Sequence, residues 1–244
     1  DLQANKFAQQ KTLLQHRPRE YHLLTKYYVH ESPAAIKPSK HYSYPLYGLP
    51  KDEAALSYEE AEKNPRLIRY RFGKQAILKG ALNNYSVPVL AYFNREDLEA
   101  ALMEGTVVAR FQNGQKTKIF NVHRNNHIAY HPNLKPYAQE RYWFFREVDG
   151  IKGYGKDADH KISVVPTATF AGNLADLGLG RLLLVRYKNN KGLMLGKIGV
   201  LADTGGAFDH NLYQLDYLAG VYPGRESFNR ATKNLPDYVQ VWLL

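Results

Sequence analysis

A segment near the C-terminus constrains the fold of this chain more than any other. The apolar run Ile198–Ala202 predicts a strand, and this strand ends at Asp203. Gly205 and Gly206 follow, and the glycine pair predicts a sharp turn that needs a permissive backbone. The chain then resumes in an apolar and aromatic run at 212–217. The segment therefore predicts a strand that brings an aspartate to a sharp turn.

Asp216 lies inside that second run, between Leu215 and Tyr217. In an apolar and aromatic setting a carboxyl group loses hydration, which raises its pKa. A carboxylic acid with a raised pKa donates a proton near neutral pH, so Asp216 is a candidate general acid. The residues by themselves leave a simpler interpretation open, in which Asp203 caps a turn and Asp216 is an ordinary loop carboxylate.

The chain is long enough to bury a substantial core. Its 244 residues are 44% hydrophobic and 13% aromatic, which argues against disorder and allows one large domain or two small ones. No apolar run is long enough to span a bilayer. Residues 1–24 predict a helical or loose lead-in without the pattern of a signal peptide, which indicates a cytoplasmic protein or a processed chain. The absence of cysteine excludes disulfides and thiol chemistry.

Short apolar runs separated by turn signals recur along the chain and predict a mainly β protein with short helices. Residues 57–60, Ser-Tyr-Glu-Glu, have the spacing of a capping box and predict the start of a short helix. Asn94 predicts the N-cap of another helix, and Gly105 predicts its C-terminal stop. Asn113 and Gly114 form the preferred two-residue turn of a β-hairpin.

Three histidines, His123, His127 and His131, are spaced four residues apart. This spacing would align their imidazoles on one face of a helix or a strand, as a metal site requires. The glutamate of the helical metalloprotease pattern is absent, however, and the neighbouring Asn125 and Asn126 are typical of a loop. We therefore expect no bound metal and no cofactor.

Several separate segments resemble those of one known family. Asp-Thr-Gly-Gly-Ala at 203–207, followed by Asp216 and Tyr217, resembles the C-terminal 3D segment of the membrane-bound lytic transglycosylase A family of peptidoglycan enzymes. Further segments similar to those of this family are Tyr27-Tyr28, residues 44–50, residues 124–130 and the final run at 239–244. An aspartic protease also contains Asp-Thr-Gly, but it needs a second such triplet or a dimer.

The resemblance implies a double-psi β-barrel of six strands, built from residues 1–65 and 143–244. Residues 66–142 would form a smaller, inserted β-rich domain, and a groove between the two would hold a glycan strand. The resemblance also implies a monomer in the periplasm or cell envelope of a Gram-negative bacterium. Family members are commonly lipid-anchored to the outer membrane, and this sequence has no cysteine to carry the lipid.

The resemblance further implies a lytic transglycosylase, which cleaves the β-1,4 bond between N-acetylmuramic acid and N-acetylglucosamine and leaves a 1,6-anhydro end. It assigns the role of acid and then base to Asp216, and an orienting role to Asp203. Asp209 is a rival, because the separation of the two motif aspartates is longer than in the family. The implied substrate-binding residues are Tyr27, Tyr28, Tyr44, Asn126, His127, Tyr130, Gly205, Gly206 and Tyr217.

A non-catalytic glycan-binding module on the same barrel is the alternative from another functional class. The family's Gln-Gly-Ser-Gly segment is reduced here to Gly105, and its third aspartate has no counterpart except, at a displaced position, Asp176. Asp203, the double glycine and Asp216 are all retained. This set favours the enzyme, since binding alone does not need it.

The net charge of +10, from 33 Lys and Arg against 23 Asp and Glu, favours an anionic partner. Nucleic acid is a third hypothesis, but the basic residues are scattered and no nucleic-acid-binding motif is recognised. Peptidoglycan, with its lactyl and peptide carboxylates, or a membrane surface accounts for the charge equally well. Some of the 19 tyrosines are candidates for stacking on sugar rings, although half-buried sheet positions explain most of them.

Overall fold

The computed structural model describes residues 21–111 and 116–244. The predicted lead-in up to residue 20 and the predicted turn at Asn113 and Gly114 lie outside the described residues. The strands are β1 His22–Ala34, β2 Tyr44–Tyr47, β3 Val89–Phe93, β4 Thr106–Phe111, β5 Lys118–Asn125, β6 Trp143–Val148, β7 Thr169–Ala171, β8 Arg181–Lys188, β9 Met194–Asp203, β10 Gln214–Tyr222 and β11 Tyr238–Leu243. The α-helices are Tyr58–Glu62, Lys74–Leu78, Arg95–Glu104, Leu174–Leu177 and Arg225–Thr232.

The chain divides into two compact units. The first unit comprises, within the described residues, 21–29, Lys152–Tyr154 and Ile162–Leu244. The second unit comprises the described residues of His30–Ile151 and Gly155–Lys161. None of the helices in the described part of the chain is long and apolar enough to cross a membrane.

The units place residues 30–65 and 143–151 together with the predicted inserted domain. Two strand pairings account for this grouping: β2 pairs with β3, and β6 pairs with β5. The predicted domains, 1–65 with 143–244 and the inserted 66–142, are kept as a proposal about how the chain is organised.

Five strands of the first unit and β1, whose residues up to Val29 belong to that unit, close into a ring. Their order is β10-β7-β9-β8-β11-β1, and β1 pairs in turn with β10. β7 is parallel to β9, whereas β10–β7, β8–β9, β11–β8 and β1–β11 are antiparallel. Closure gives each of these strands a partner on both sides, as in a barrel. The ring agrees with the six-stranded barrel that the resemblance implies.

The core of the first unit follows from the alternation of apolar residues along its strands. On β10, Leu215 and Tyr217 are buried in this core, and so are alternate residues of the neighbouring strands, including Leu183, Val185, Leu201, Val239 and Val241. Asp216 stands between two core residues on the same strand. Its side chain therefore projects from the opposite face of β10.

The second unit confirms two helices that the sequence predicts. Asn94 caps helix Arg95–Glu104 by accepting a hydrogen bond from the backbone N–H of Asp97, and the helix ends at Gly105 with φ 75°. Ser57 forms the predicted capping box at helix Tyr58–Glu62. The antiparallel pairing of β4 with β5 also confirms the predicted hairpin strands. These elements were predictable because each depends on residues close together in sequence.

Candidate active site

Among the described residues of the first unit, Asp216 carries the carboxyl group whose pKa is most strongly shifted. Its Oδ1 is buried and has no hydrogen-bond partner among the described residues. Burial raises the pKa of Asp216 from 3.8 to about 6, a hydrogen bond with Thr25 opposes this rise, and the charge of Asp203 adds to it. The direction of the shift agrees with the sequence analysis. Leu215 and Tyr217 face the core, however, so the apolar neighbours in sequence do not surround the carboxyl group.

Asp203 is held in place at the end of β9 by two hydrogen bonds. The hydroxyl of Tyr27 donates to Oδ2 over 2.8 Å, and the backbone N–H of Thr204 donates to Oδ1 over 2.9 Å. Burial and the charge of Asp203 raise the pKa of Tyr27 above its usual range, so its hydroxyl stays protonated and continues to donate. The orientation of the Asp203 carboxylate is therefore fixed from two sides.

β7 links the two aspartates. Ala171 pairs with Asp216 on one side and with Asp203 on the other. Adjacent strands lie about 4.8 Å apart, which puts the two aspartate Cα atoms at about 10 Å from each other. Alanine contributes only a methyl group between them. This arrangement differs from the dyad of aspartic proteases, in which two carboxylates about 3 Å apart share one proton.

Gly205 and Gly206 lie beside Asp203, but the turn does not need their conformational freedom. Gly205 has an extended backbone with φ −164°, and neither glycine has a positive φ. A Cβ on Gly206 would meet no atom of the described chain within 4 Å, and a Cβ on Gly205 would meet the ring of Phe208 at 3.9 Å. The expectation of a turn that needs a permissive backbone is wrong. The pair instead leaves open space next to Asp203.

Tyr28 and Tyr217, two predicted substrate contacts of the first unit, are packed against other side chains. The ring of Tyr28 stacks on Phe228 with centroids 4.7 Å apart. Tyr217 is 4% exposed, and its hydroxyl accepts a hydrogen bond from Lys197 and donates one to the carbonyl of Thr167. Both rings stabilise the unit, and a contact of either with substrate stays a prediction.

Asn126, predicted to bind substrate, belongs to the second unit and is 2% exposed. Its side-chain amide donates to the carbonyls of Phe72 and Glu140, and its oxygen accepts from the backbone N–H of Tyr142. Both amide hydrogens are thus bound to backbone oxygens. A direct hydrogen bond from this amide to a glycan would replace one of them, and the assignment stays a prediction.

The three other predicted contacts of the second unit differ in exposure. Tyr44 lies on β2, with the guanidinium of Arg95 5.5 Å from its ring centre. His127 is exposed, and its Nε2 contacts the carboxylate of Glu62. Tyr130 is 55% exposed and lines a pocket of about 220 Å³, together with residues that include Lys74, Arg141 and Trp143. Their contact with substrate likewise stays a prediction.

The alternative aspartates occupy other surroundings. Asp176 stands in the first turn of helix Leu174–Leu177, where its carboxylate accepts a hydrogen bond of 2.7 Å from Asn173. Asp176 therefore takes part in a local helix cap, and its role as a displaced counterpart of the family's third aspartate stays a prediction. Asp209 is exposed at the end of the turn that contains the double glycine.

Two further residues support the site, and neither is recognisable from the sequence. The hydroxyl of Thr25 accepts a hydrogen bond from Gln214, and its single hydrogen is shared between the carbonyl of Leu215 and the carboxyl group of Asp216. Gly153 packs so closely against β9 that a Cβ would stand 2.6 Å from the carbonyl oxygen of Ala202. A threonine in a strand and a glycine in a loop are too common to be recognised as such from sequence.

Several solved structures of other proteins are similar in fold to nearly the whole of this chain. MltA from Neisseria gonorrhoeae in its monoclinic form matches with a TM-score of 0.68 and 17% identity, over 92% of this chain and 73% of that one. E. coli MltA with bound chitohexaose matches with a TM-score of 0.67 and 18% identity, over 92% and 71%. The chain has the MltA fold.

A third structure, the membrane-bound lytic murein transglycosylase from Agrobacterium tumefaciens, gives a TM-score of 0.66 and 17% identity over 91% of this chain and 73% of that one. No family model and no curated relative matches the sequence. These matches confirm the resemblance to the MltA family in fold, and they confirm the predicted mainly β fold class. At this identity the MltA likeness concerns the fold, and the activity has to be argued from the site.

Proposed function

We propose that this protein is a lytic transglycosylase that acts on peptidoglycan. The observation that carries the proposal is the partly buried carboxyl group of Asp216, whose pKa is raised to about 6 and whose Oδ1 is buried without a hydrogen-bond partner in the described chain. A second carboxylate, held by Tyr27, and an open, exposed turn lie at the end of a nearby strand. The MltA fold supports the proposal, and one MltA structure holds chitohexaose.

The reaction needs one group that acts first as acid and then as base. Protonated Asp216 donates its proton to the glycosidic oxygen between N-acetylmuramic acid and N-acetylglucosamine while the bond to the anomeric carbon breaks. The Asp216 carboxylate then accepts the proton of the 6-hydroxyl of the same muramic acid, whose oxygen bonds to the anomeric carbon. The product carries a 1,6-anhydro end, and Asp216 is again protonated.

Water takes no part in this sequence. Glycoside hydrolases generally use a second carboxylate as base or nucleophile. Here the attacking hydroxyl belongs to the substrate itself, which removes the entropic cost of bringing in a separate molecule. The role left for Asp203 is to orient the sugar and to keep Asp216 protonated through its negative charge.

The proposed substrate also sets the proposed location and partners. The enzyme would act on a glycan strand in the periplasm or elsewhere in the cell envelope, as a monomer and without nucleic acid. The positive net charge of the chain suits the carboxylates of peptidoglycan. Attachment to the outer membrane would require a lipid on a segment other than this cysteine-free sequence.

Mass spectrometry of the soluble products from purified peptidoglycan tests the proposal. The intact protein and the Asp209→Asn variant should release anhydromuropeptides, whereas Asp216→Asn should release none. Products with reducing ends would indicate a hydrolase. Retained glycan without any product would favour the glycan-binding module, which the missing third aspartate supports.

A further inference from the structure

A second cluster of polar side chains lies in the second unit and has no role in the reaction described above. His123 lies on β5, whereas Asp157 and Asp159 belong to the segment Gly155–Lys161. One ligand atom from each of the three residues lies within 4.8 Å of the other two. The cluster therefore joins groups that are more than 30 residues apart in sequence.

His123 is a buried imidazole without a hydrogen bond to its ring in the described part of the chain. It is 2% exposed, and its Nδ1 has no partner. Its Nε2 stands 4.0 Å from Oδ2 of Asp159, beyond the reach of a hydrogen bond. Buried polar groups normally have partners, because leaving them unpaired costs free energy. Nε2 is the ring atom that faces Asp159, and because it makes no hydrogen bond within the described chain it is free to bind a ligand there.

Both carboxylates are oriented by other contacts. Oδ1 of Asp157, which is 1% exposed, accepts hydrogen bonds from the backbone N–H groups of Asp159 and His160 and lies 2.6 Å from Nδ1 of His160. Arg146 binds Oδ1 of Asp159 over 2.8 Å, while Oδ2 faces His123. Contacts of this kind hold ligands in place around protein-bound metal ions.

The chemistry of the cluster also suits a cation. Two carboxylates lie beside an imidazole whose ring makes no hydrogen bond within the described chain. Imidazole nitrogen and carboxylate oxygen atoms are both established ligands of divalent metal ions.

We propose that His123, Asp157 and Asp159 bind a divalent transition-metal ion, with Zn²⁺ the best fit to one nitrogen and two oxygen ligands. Imidazole favours zinc over magnesium or calcium, which prefer oxygen ligands alone. In a tetrahedral site two ligand atoms about 2.1 Å from the ion stand about 3.4 Å apart, so the 4.0 Å between Nε2 of His123 and Oδ2 of Asp159 has to close by about 0.6 Å, which the partly exposed Asp159 side chain allows. The ion would fasten segment Gly155–Lys161 to β5.

This site differs from the one that the histidine spacing suggests. His127 pairs with Glu62, and the backbone of His131 contacts Gln139. The expectation that no metal binds was based on the spacing of these three histidines alone. The carboxylates beside His123 follow it by 34 and 36 residues, and at that separation no ligand spacing is recognisable in the sequence.

Zn²⁺ titration of the full, chelator-treated chain against a chromophoric chelator tests the proposal. The unmodified protein should bind one equivalent saturably, and Asp159→Asn should bind at least about tenfold more weakly. Asp159 is 42% exposed, so this variant should fold. His131→Ala, which removes a histidine outside the cluster, is the matched control and should bind as tightly as the unmodified protein.

A second measurement follows the segment itself. Zn²⁺ should slow amide hydrogen exchange in residues 155–161 in the unmodified protein and in His131→Ala, but not in Asp159→Asn. Absence of saturable binding, equal affinity in Asp159→Asn, or a loss of affinity in His131→Ala would overturn the proposal. None of these outcomes depends on the transglycosylase activity.

Discussion

Asp203 and Asp216 face each other across a single strand, because both pair with the same residue, Ala171 of β7. The charge of Asp203 raises the pKa of Asp216 in addition to the effect of burial. One aspartate thus tunes the other without contacting it. This relationship favours a general acid at Asp216, since such a group has to remain protonated at the pH at which the enzyme works.

The pH dependence of activity should report the pKa of Asp216. The protonated carboxyl is the active form, so kcat/KM should fall about tenfold per pH unit above a pKa of about 6. Peptidoglycan solubilisation followed between pH 4.5 and 8 provides the measurement. Asp203→Asn should move the fall to lower pH, because it removes a charge that raises the pKa. A rate that increases through this range would contradict the assignment.

Stability should depend on pH through the same group. Because the folded-state pKa of Asp216 is raised from 3.8 to about 6, the folded state binds more protons than the unfolded state in this window. Its contribution to stability is therefore lost as pH rises from 4 to 6. The Asp216→Asn variant lacks this pH-dependent loss. Its free energy of unfolding, relative to that of the unmodified protein, should therefore be higher at pH 7.5 than at pH 4 by about 1 to 3 kcal/mol, after allowance for solvent screening.

Urea denaturation of both proteins at the two pH values measures this difference. A stability difference that is the same at pH 4 and pH 7.5 would show that the carboxyl of Asp216 is not desolvated in the folded state. It would thereby remove the physical basis for its role as an acid.

Tyr27→Phe should impair the reaction without unfolding the protein. The change removes the 2.8 Å hydrogen bond to Asp203 and leaves the ring in place. Hydrogen bonds to charged groups contribute about 1.5 to 3 kcal/mol, so we expect a fall in kcat of about tenfold or more. Tyr222→Phe is the matched control, because its hydroxyl bonds only weakly, over 3.3 Å, to the backbone of Ala219. Equal activity of the two variants would argue against a role for the Tyr27 hydroxyl.

Substitution of two glycines by alanine should affect the stability of the protein to different extents. In Gly153→Ala the new Cβ would stand 2.6 Å from both the Ala202 carbonyl oxygen and Val164 Cγ1, so the variant should lose about 1 to 3 kcal/mol of stability. In Gly206→Ala the Cβ meets open space, so stability should change by less than about 0.5 kcal/mol. If the space beside Asp203 receives sugar, Gly206→Ala should raise KM. Thermal unfolding and steady-state kinetics of the pair separate the two effects, and a stable Gly153→Ala would contradict the close packing.

The parts of the fold that the sequence predicts are those decided locally. The cap of Asn94 on the N–H of Asp97 and the stop at Gly105 involve residues a few positions apart, so their side-chain chemistry identifies the helix directly. The alternation of buried and less buried positions in Tyr238–Leu243 is likewise a local pattern, typical of a strand such as β11. β7, by contrast, covers only Thr169–Ala171, and a strand of three residues is too short to show an alternating pattern.

The parts that the sequence does not predict depend on pairing between distant segments. Nothing near Asp216 in sequence indicates that Thr25 lies beside it or that Ala171 pairs with it. The resemblance identifies the two aspartates, but their relation follows from the order of strands in the ring. For the same reason the tight packing of Gly153 on β9 could not be foreseen, since a glycine-rich segment is equally typical of a flexible loop.

The most direct test of the central claim is digestion of peptidoglycan in water enriched in ¹⁸O, with mass spectrometry of the released muropeptides. If Asp216 protonates the glycosidic oxygen and the 6-hydroxyl of the muramic acid attacks, the anhydro products contain no ¹⁸O, and Asp216→Asn gives no products. Incorporation of one ¹⁸O at a newly formed reducing end would show that water attacks. That result would contradict the single-aspartate transglycosylase mechanism.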